Sequence, residues 1–242
     1  MFDWLKRLLG GAPLQDGEVT PGGSRVYTYD GDIFQNQVGF HEKSQGDNME
    51  RRDEVYESLF GEIDQVYHEM IPFVPHIDIY TFKPGFQGRD FWTVVTAGMS
   101  DLPMTVPPDV GSEFSRVELI FYCNRVEEAY LGLLRTMAHF PHDNRTWFGF
   151  GHTVPNGQPA APLFRPNSLM TTLLFLGTIV SPDAELGEQL VIDGDPVNFL
   201  WVVPISDAEC EAKLEHGVDK LLDLFSEVSH PFVFTGDRDS YL

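Results

Sequence analysis

A serine follows a strand-like apolar run in residues 91–104, FWTVVTAGMSDLPM. Ser100 in this place could act as a nucleophile, as in hydrolases that carry Gly-x-Ser-x-Gly at a sharp strand-to-helix turn. Gly98 supplies the first glycine of that pattern, but Leu102 occupies the position of the second, which close packing requires. The sequence therefore favours a structural turn, in which Gly98 adopts a positive φ angle and Ser100 or Asp101 hydrogen-bonds the local backbone.

Histidines provide a second candidate for chemistry. His139 and His142 lie close together, and His152 follows ten residues after His142, a set of side chains that zinc accepts as ligands. Pro141 interrupts the predicted helix that would place the first two on one face. A histidine at a helix C-terminus also has an ordinary role, since it interacts favourably with the last carbonyls. We predict no catalytic residue, no metal and no cofactor; the alternative is a hydrolase or metal-dependent enzyme that uses Ser100 or the His139/His142 cluster.

Two further charged motifs have structural interpretations. Arg116 and Glu118 point to one face of a predicted strand, where a structural salt bridge is a better expectation than a ligand clamp. The sequence Asp193-Gly194-Asp195 lacks the other ligand positions and the bidentate glutamate of a calcium loop. A hairpin turn explains it, so both motifs are predicted to hold the fold.

The elements that must position these residues form runs of strands separated by a few helices. The predicted strands are 76–82, 91–96, 116–122 and 169–177, the predicted helices are 48–68, 128–140 and 207–225, and a hairpin joins 189–192 to 197–205. Because strands and helices do not alternate strictly, the pattern favours an α+β domain with a mixed, largely antiparallel sheet packed with helices.

The N-terminal region differs from the rest of the chain. Residues 1–24 are predicted to be an arm that contains a short helix at 2–9 and a Gly/Pro-rich linker, and residues 25–242 a single domain. Charged residues interrupt the apolar residues of the arm, which argues against a secretory signal. No window approaches the ~18 to 20 apolar residues of a membrane helix. A cytoplasmic protein without a membrane partner is therefore expected.

The charge of the chain bears on its partners. There are 37 acidic and 16 basic side chains, which gives a formal net charge of −21. Binding to nucleic-acid phosphates requires a basic surface, so this balance argues against a nucleic-acid partner. A basic protein fits the charge better.

Several short motifs, in a fixed order from about residue 26 to 239, resemble those of the suppressor of fused-like domain family. The matched positions are a Gly-x-Ser turn at Gly98, Met99, Ser100 and Asp101, an E-L strand at Glu118 and Leu119, and a strand end at Pro204, Ile205 and Glu209. Each motif is short, and their order provides the specificity.

The resemblance implies a non-enzymatic α+β domain that works by binding proteins. Eukaryotic relatives hold a transcription-factor peptide as an added strand between two lobes, and the second lobe is expected to be absent here. Similarity to the stand-alone bacterial type implies an immunity protein that neutralises a toxin, for which a basic toxin would suit the acidic charge. The residues predicted to bind this partner are Phe140, Phe148, Phe150, His152 and Thr153. Ordinary core packing is the alternative role for the aromatic residues among them.

Overall fold

The computed structural model describes residues 17–29, 45–71, 73–157, 159–180, 183 and 189–242. The short helix predicted at 2–9 lies outside the described residues. Within these ranges, no helix combines the length and the apolar character needed to cross a bilayer.

Strands and helices are numbered in chain order. The strands are β1 Glu18–Val19, β2 Arg25–Val26, β3 Ile63–Tyr67, β4 Asp78–Phe82, β5 Trp92–Ala97, β6 Val117–Cys123, β7 Thr153–Pro155, β8 Met170–Gly177, β9 Val191–Ile192, β10 Asp195–Pro196 and β11 Asn198–Ser206. The helices are α1 Gln45–Phe60, α2 Glu128–Asn144, α3 Asp207–His216 and α4 Val218–Glu227. Short 3₁₀ turns lie at Phe86–Gly88, Met99–Asp101 and Ser112–Phe114.

One seven-stranded sheet has the spatial order β3-β4-β5-β6-β11-β8-β7. The β6–β11 pair is parallel, and the other neighbouring pairs are antiparallel. Two small hairpins, β1–β2 and β9–β10, lie outside this sheet. The predicted α+β class with a mixed, largely antiparallel sheet is therefore confirmed.

Helices cover both faces of the sheet. On one face, Tyr56 of α1 and Phe225 of α4 belong to the same buried cluster as Ile120 of β6. On the other face, Leu134 of α2 packs with Leu119, the preceding residue of β6. Successive strand residues point to opposite faces. A sheet buried on both sides explains why β6 reads as a nearly continuous apolar run.

The N-terminal hairpin is attached to the domain. The N–H of Gly22, in the turn between β1 and β2, donates to the carbonyl of Leu214 on α3 at 2.8 Å. The predicted boundary at residue 24 falls within this hairpin.

The predicted helix 48–68 is wrong in its second half. Gly61 ends α1 with a φ of +93°, a conformation that a glycine adopts without steric cost. Ile63 and Val66 then pair with Phe82 and Tyr80 of β4. Their spacing fitted a helix, but sheet pairing decides their conformation.

Two other expectations need correction. The predicted helix 207–225 is divided into α3 and α4 at Gly217, whose φ is +92°. Pro141 does not end α2, which continues to Asn144 and closes where the Thr146 N–H donates to the Pro141 carbonyl at 2.9 Å.

The hairpin predicted between 189–192 and 197–205 is correct only in its turn. Strand β9 pairs with the two-residue β10, whereas β11 lies in the main sheet between β6 and β8. The φ angles of Asp193 and Gly194 are +51° and +90°, the conformation of a tight hairpin turn.

Candidate functional site

The Gly98–Asp101 turn is held by one buried carboxylate. Glu118 Oε1 accepts hydrogen bonds from the N–H groups of Gly98 and Ser100, each at 3.0 Å, and from the Ser100 hydroxyl at 2.6 Å. Its Oε2 accepts from the Thr96 hydroxyl at 2.6 Å. Because β5 and β6 are paired neighbours, Glu118 on β6 lies beside the turn that follows β5. The turn is therefore part of the folded framework.

Ser100 has a structural role in this arrangement. Its residue is fully buried, and its hydroxyl proton is directed to Glu118. Burial raises the pKa of Glu118, while the Arg52 charge and the donors from Ser100 and Thr96 oppose that rise. A hydroxyl without access to solvent is not placed to attack a substrate. The preference for a structural turn agrees with this geometry.

Arg52 connects α1 to the turn. Its guanidinium lies 2.5 Å from Asp101 Oδ1 and 3.6 Å from Glu118 Oε1, and its side chain is 3% exposed. Asn48 donates to the same Asp101 oxygen at 3.3 Å. The two carboxylates provide the opposite charge that a buried arginine requires.

Arg116 binds the turn from another side. Its Nη1 donates to the carbonyls of Ser100 and Asp101 at 2.8 and 3.0 Å. Its Nη2 and Nε lie 2.9 and 3.5 Å from the carboxylates of Asp193 and Asp195. The salt bridge predicted between Arg116 and Glu118 is therefore wrong, because each side chain contacts a different part of the turn.

The three candidate histidines contact different partners. His139 Nε2 lies 2.6 Å from Glu69 Oε1, His142 Nε2 lies 3.0 Å from the Met99 carbonyl, and His152 Nδ1 accepts from the Gly149 N–H at 3.3 Å. Among the residues that the structure describes, no three His, Cys, Asp or Glu side chains are arranged to hold a metal ion. His142 instead fastens α2 to the Gly98–Asp101 turn.

His142 makes the stability of the fold depend on pH. Burial lowers the pKa of His142 from 6.5 to about 4. Between these values the unfolded chain binds the proton and the folded chain does not, so stability falls as the pH drops through this window. We expect His142→Asn to show a smaller loss of unfolding free energy on acidification, because asparagine does not titrate.

Urea unfolding at several pH values between 6.5 and 4 measures this slope. His216→Asn is the control, since His216 is exposed, and it should keep the wild-type slope. An equal slope in wild type and His142→Asn would show that His142 does not titrate as expected.

The predicted partner-binding residues divide into buried and accessible ones. Phe140 and Phe148 are 5% and 2% exposed, and their rings stack at a centroid distance of 5.6 Å. These two residues therefore pack in the core. Phe150 is 57% exposed, and His152 and Thr153 are half-buried. Thr153 begins β7, and Phe150 and His152 lie just before it.

Strand β7 is at one end of the sheet and pairs with β8 alone in the described part of the chain. The N–H of Phe175 donates to the His152 carbonyl at 2.9 Å, and the N–H of Asn156 donates to the Thr171 carbonyl at 2.8 Å. Because backbone groups alternate along a strand, the N–H and C=O of Thr153 and the C=O of Pro155 point away from β8. This edge offers one donor and two acceptors to a further strand.

An apolar groove of about 290 Å³ lies where β6 and β11 begin and β8 ends, and Phe150, three residues before β7, lines it. Phe114 and Phe150, which are 48% and 57% exposed, line it. Its buried lining includes Phe148 and Leu200. Exposed aromatic residues over a buried apolar surface are typical of interaction sites.

The family model described as "Suppressor of fused protein (SUFU)" matches residues 74–239. The chain belongs to the suppressor of fused family. The match includes the Gly98–Asp101 turn, Glu118 and β7, and it leaves out Arg52. The comparison with curated proteins found no match.

Solved structures of suppressor of fused proteins share the fold of this chain. A homologue from Neisseria gonorrhoeae FA 1090 has a TM-score of 0.60 and 16% identity over 81% of this chain and 97% of its own. The Sufu–Fu complex matches with a TM-score of 0.54 and 16% sequence identity, over 80% of this chain and 90% of the matched chain. Drosophila Suppressor of Fused matches with a TM-score of 0.50 and 15% sequence identity, over 80% of this chain and 50% of the matched chain.

Sequence reasoning missed Arg52 and Lys213. Arg52 lies three and four residues before Val55 and Tyr56, on the apolar side of α1, and an arginine at such a position signals a buried partner. Lys213 is 5% exposed, and the same reasoning applies because it follows the buried Cys210 by three residues. The position of a basic residue on an apolar helix face indicates burial, but it does not show which group the side chain contacts.

Proposed function

We propose that the chain is a non-enzymatic protein-binding module that holds an extended segment of its partner along β7. The observation that carries this proposal is the outer edge of β7, which pairs with no second strand among the described residues and follows the exposed Phe150 by three residues. Thr153 offers its backbone N–H and C=O to such a segment, and the groove lined by Phe150 offers apolar surface to the part of the partner that extends past the start of β7. The Sufu–Fu structure is itself a complex of a suppressor of fused protein.

The candidate residues for chemistry support a binding function over an enzymatic one. The Ser100 hydroxyl donates to Glu118 inside the fold, and His142 contacts the Met99 carbonyl. His139 is paired with Glu69. Each of these side chains has a structural partner, and the hydrolase and metal-enzyme alternatives gain no support from their geometry.

The partner that suits this module is a basic protein. A formal charge of −21 gives a negative potential that accelerates the approach of a basic partner. Neutralisation of a basic toxin in the cytoplasm, the role of an immunity protein, agrees with this charge. The partner would be held at β7 and attracted by the surface as a whole.

Thr153→Pro tests the binding edge. Proline removes the outward N–H of Thr153 but no hydrogen bond to β8, so the fold should persist while the partner loses its donor. We expect at least tenfold weaker binding, which corresponds to about 1.4 kcal/mol. The measurement is affinity purification of the tagged wild type from its native cells, mass spectrometry of proteins that co-elute near equal stoichiometry, and titration of the purified partner.

Thr153→Val is the matched control, because it changes the side chain and keeps the N–H. It should bind the partner as the wild type does, provided that the Thr153 side chain adds little. Equal binding by the proline variant would exclude strand addition at β7. Failure of the wild type to retain any stoichiometric partner, together with turnover of a small molecule, would overturn the binding function.

A further inference from the structure

Lys213 on α3 is a buried cation without an opposite charge among the residues that the structure describes. The residue is 5% exposed, and burial lowers the pKa of its amine; the Cys210 thiol opposes this, and no carboxylate of the described residues does. The other described lysines differ. Lys83 and Lys220 are exposed, and they pair with Asp64 and Asp223. Lysine is rarely buried unless it is paired, so Lys213 needs an explanation.

The surroundings of Lys213 contain hydrogen-bond donors. Cys210, one helical turn earlier, has a buried thiol whose pKa burial raises, with the hydroxyls of Thr172 and Thr153 and the charge of Lys213 opposing that rise. The Thr172 hydroxyl is buried beside this thiol and makes no other hydrogen bond in the described part of the chain. The site thus has an ammonium group that no carboxylate of the described residues neutralises.

The site lies beside the binding edge. Thr172 is the β8 residue opposite Pro155 of β7. Burial and the charge of Lys213 lower the pKa of His152, at the start of β7, to about 4. Helix α3, which carries Lys213, also packs against β8, the strand that pairs with β7, so a segment that pairs with Thr153 passes close to Lys213.

We propose that Lys213 binds the carboxylate of an aspartate or glutamate in the partner segment that pairs with β7. This inference rests on the proposed function and adds a requirement to it. The acidic surface attracts a basic partner over long distances, whereas Lys213 selects an acidic side chain at one place in the docked segment. The carboxylate supplies the opposite charge that Lys213 lacks among the described residues.

A peptide library displayed on phage tests this requirement. Random decapeptides fused through their C-terminus present acidic side chains and no free terminal carboxylate. The library is selected on wild type, Lys213→Met and Lys220→Met. We expect wild type and Lys220→Met to enrich peptides with Asp or Glu at one fixed position, and Lys213→Met to lose that preference.

A synthetic peptide from the wild-type selection then completes a double-mutant cycle. Replacement of its acidic residue by the corresponding amide should weaken binding to wild type at least tenfold and leave binding to Lys213→Met nearly unchanged. Lys213→Gln serves as a second variant that keeps a polar side chain, and it should behave like Lys213→Met. Thermal unfolding should show no loss of stability in either variant, because both remove an unpaired buried charge.

The outcomes separate the two proposals. Peptides that bind wild type but not Thr153→Pro, and that show no acidic preference, would overturn the role of Lys213 and leave binding at β7 intact. An acidic preference that persists in both Lys213 variants would also overturn it. Absence of any Thr153-dependent peptide would refute the proposed function, and the role of Lys213 with it.

Discussion

Gly98→Ala is expected to lower the free energy of unfolding by about 4 kcal/mol or more, near the upper end of single substitutions. Gly98 has a φ of +118°, which side chains with a Cβ rarely adopt. A Cβ at this position would also overlap the carbonyl oxygen of His76. Since His76 is fixed next to the buried Ile77, the backbone has little freedom to move away.

Gly85→Ala separates the two causes. Its φ is +125°, close to that of Gly98, but a Cβ there meets no atom within 4 Å. Backbone strain alone should cost about 1 to 2 kcal/mol. Chemical denaturation of both variants therefore isolates the effect of the steric overlap. Equal losses in the two variants would mean that the overlap is relieved without cost.

Glu118→Gln is expected to lower the free energy of unfolding by about 3 kcal/mol. The carboxylate accepts hydrogen bonds from Thr96, Gly98 and Ser100. In glutamine an NH₂ group replaces one of the two accepting oxygens, so its N–H groups would face groups that also donate. Arg52 would keep only Asp101 as an opposite charge. Loss of one buried partner leaves the remaining polar groups unsatisfied, which is the expensive part of the change.

Glu113→Gln is the matched control for this substitution. Glu113 lies in the 3₁₀ turn that precedes β6, and its side chain is exposed. The free energy of unfolding of the variant should therefore stay within about 0.5 kcal/mol of the wild-type value. Urea denaturation, followed by the aromatic signal of the core, measures both. A Glu118→Gln protein as stable as the control would show that the turn does not depend on the charge.

Local patterns predicted most of the sheet. The run 116–122 is strongly apolar, and it forms β6 with bounds that differ by one residue. The segment 169–177 likewise forms β8. These strands are buried on both faces, and continuous apolar runs of this length are typical of such strands.

Long-range contacts explain the errors. Ile63 and Val66 fit a helical stripe, and only their pairing with β4 makes them a strand. The destination of β11 depends on β6 and β8, which lie far away in sequence. The same applies to the site: the turn at Gly98 was expected to be structural, but its contacts with Arg52 and Asp193 could not be found from spacing.

Those contacts also bear on how the chain reaches its native state. Arg52 meets Asp101 across 49 residues of sequence, and Arg116 meets Asp193 across 77. The turn has all of its contacts only after helix α1 and the distant β9–β10 hairpin have both packed against it. Loops of this length must close before their contacts stabilise the chain, so the Gly98–Asp101 turn is expected to form late and to slow folding.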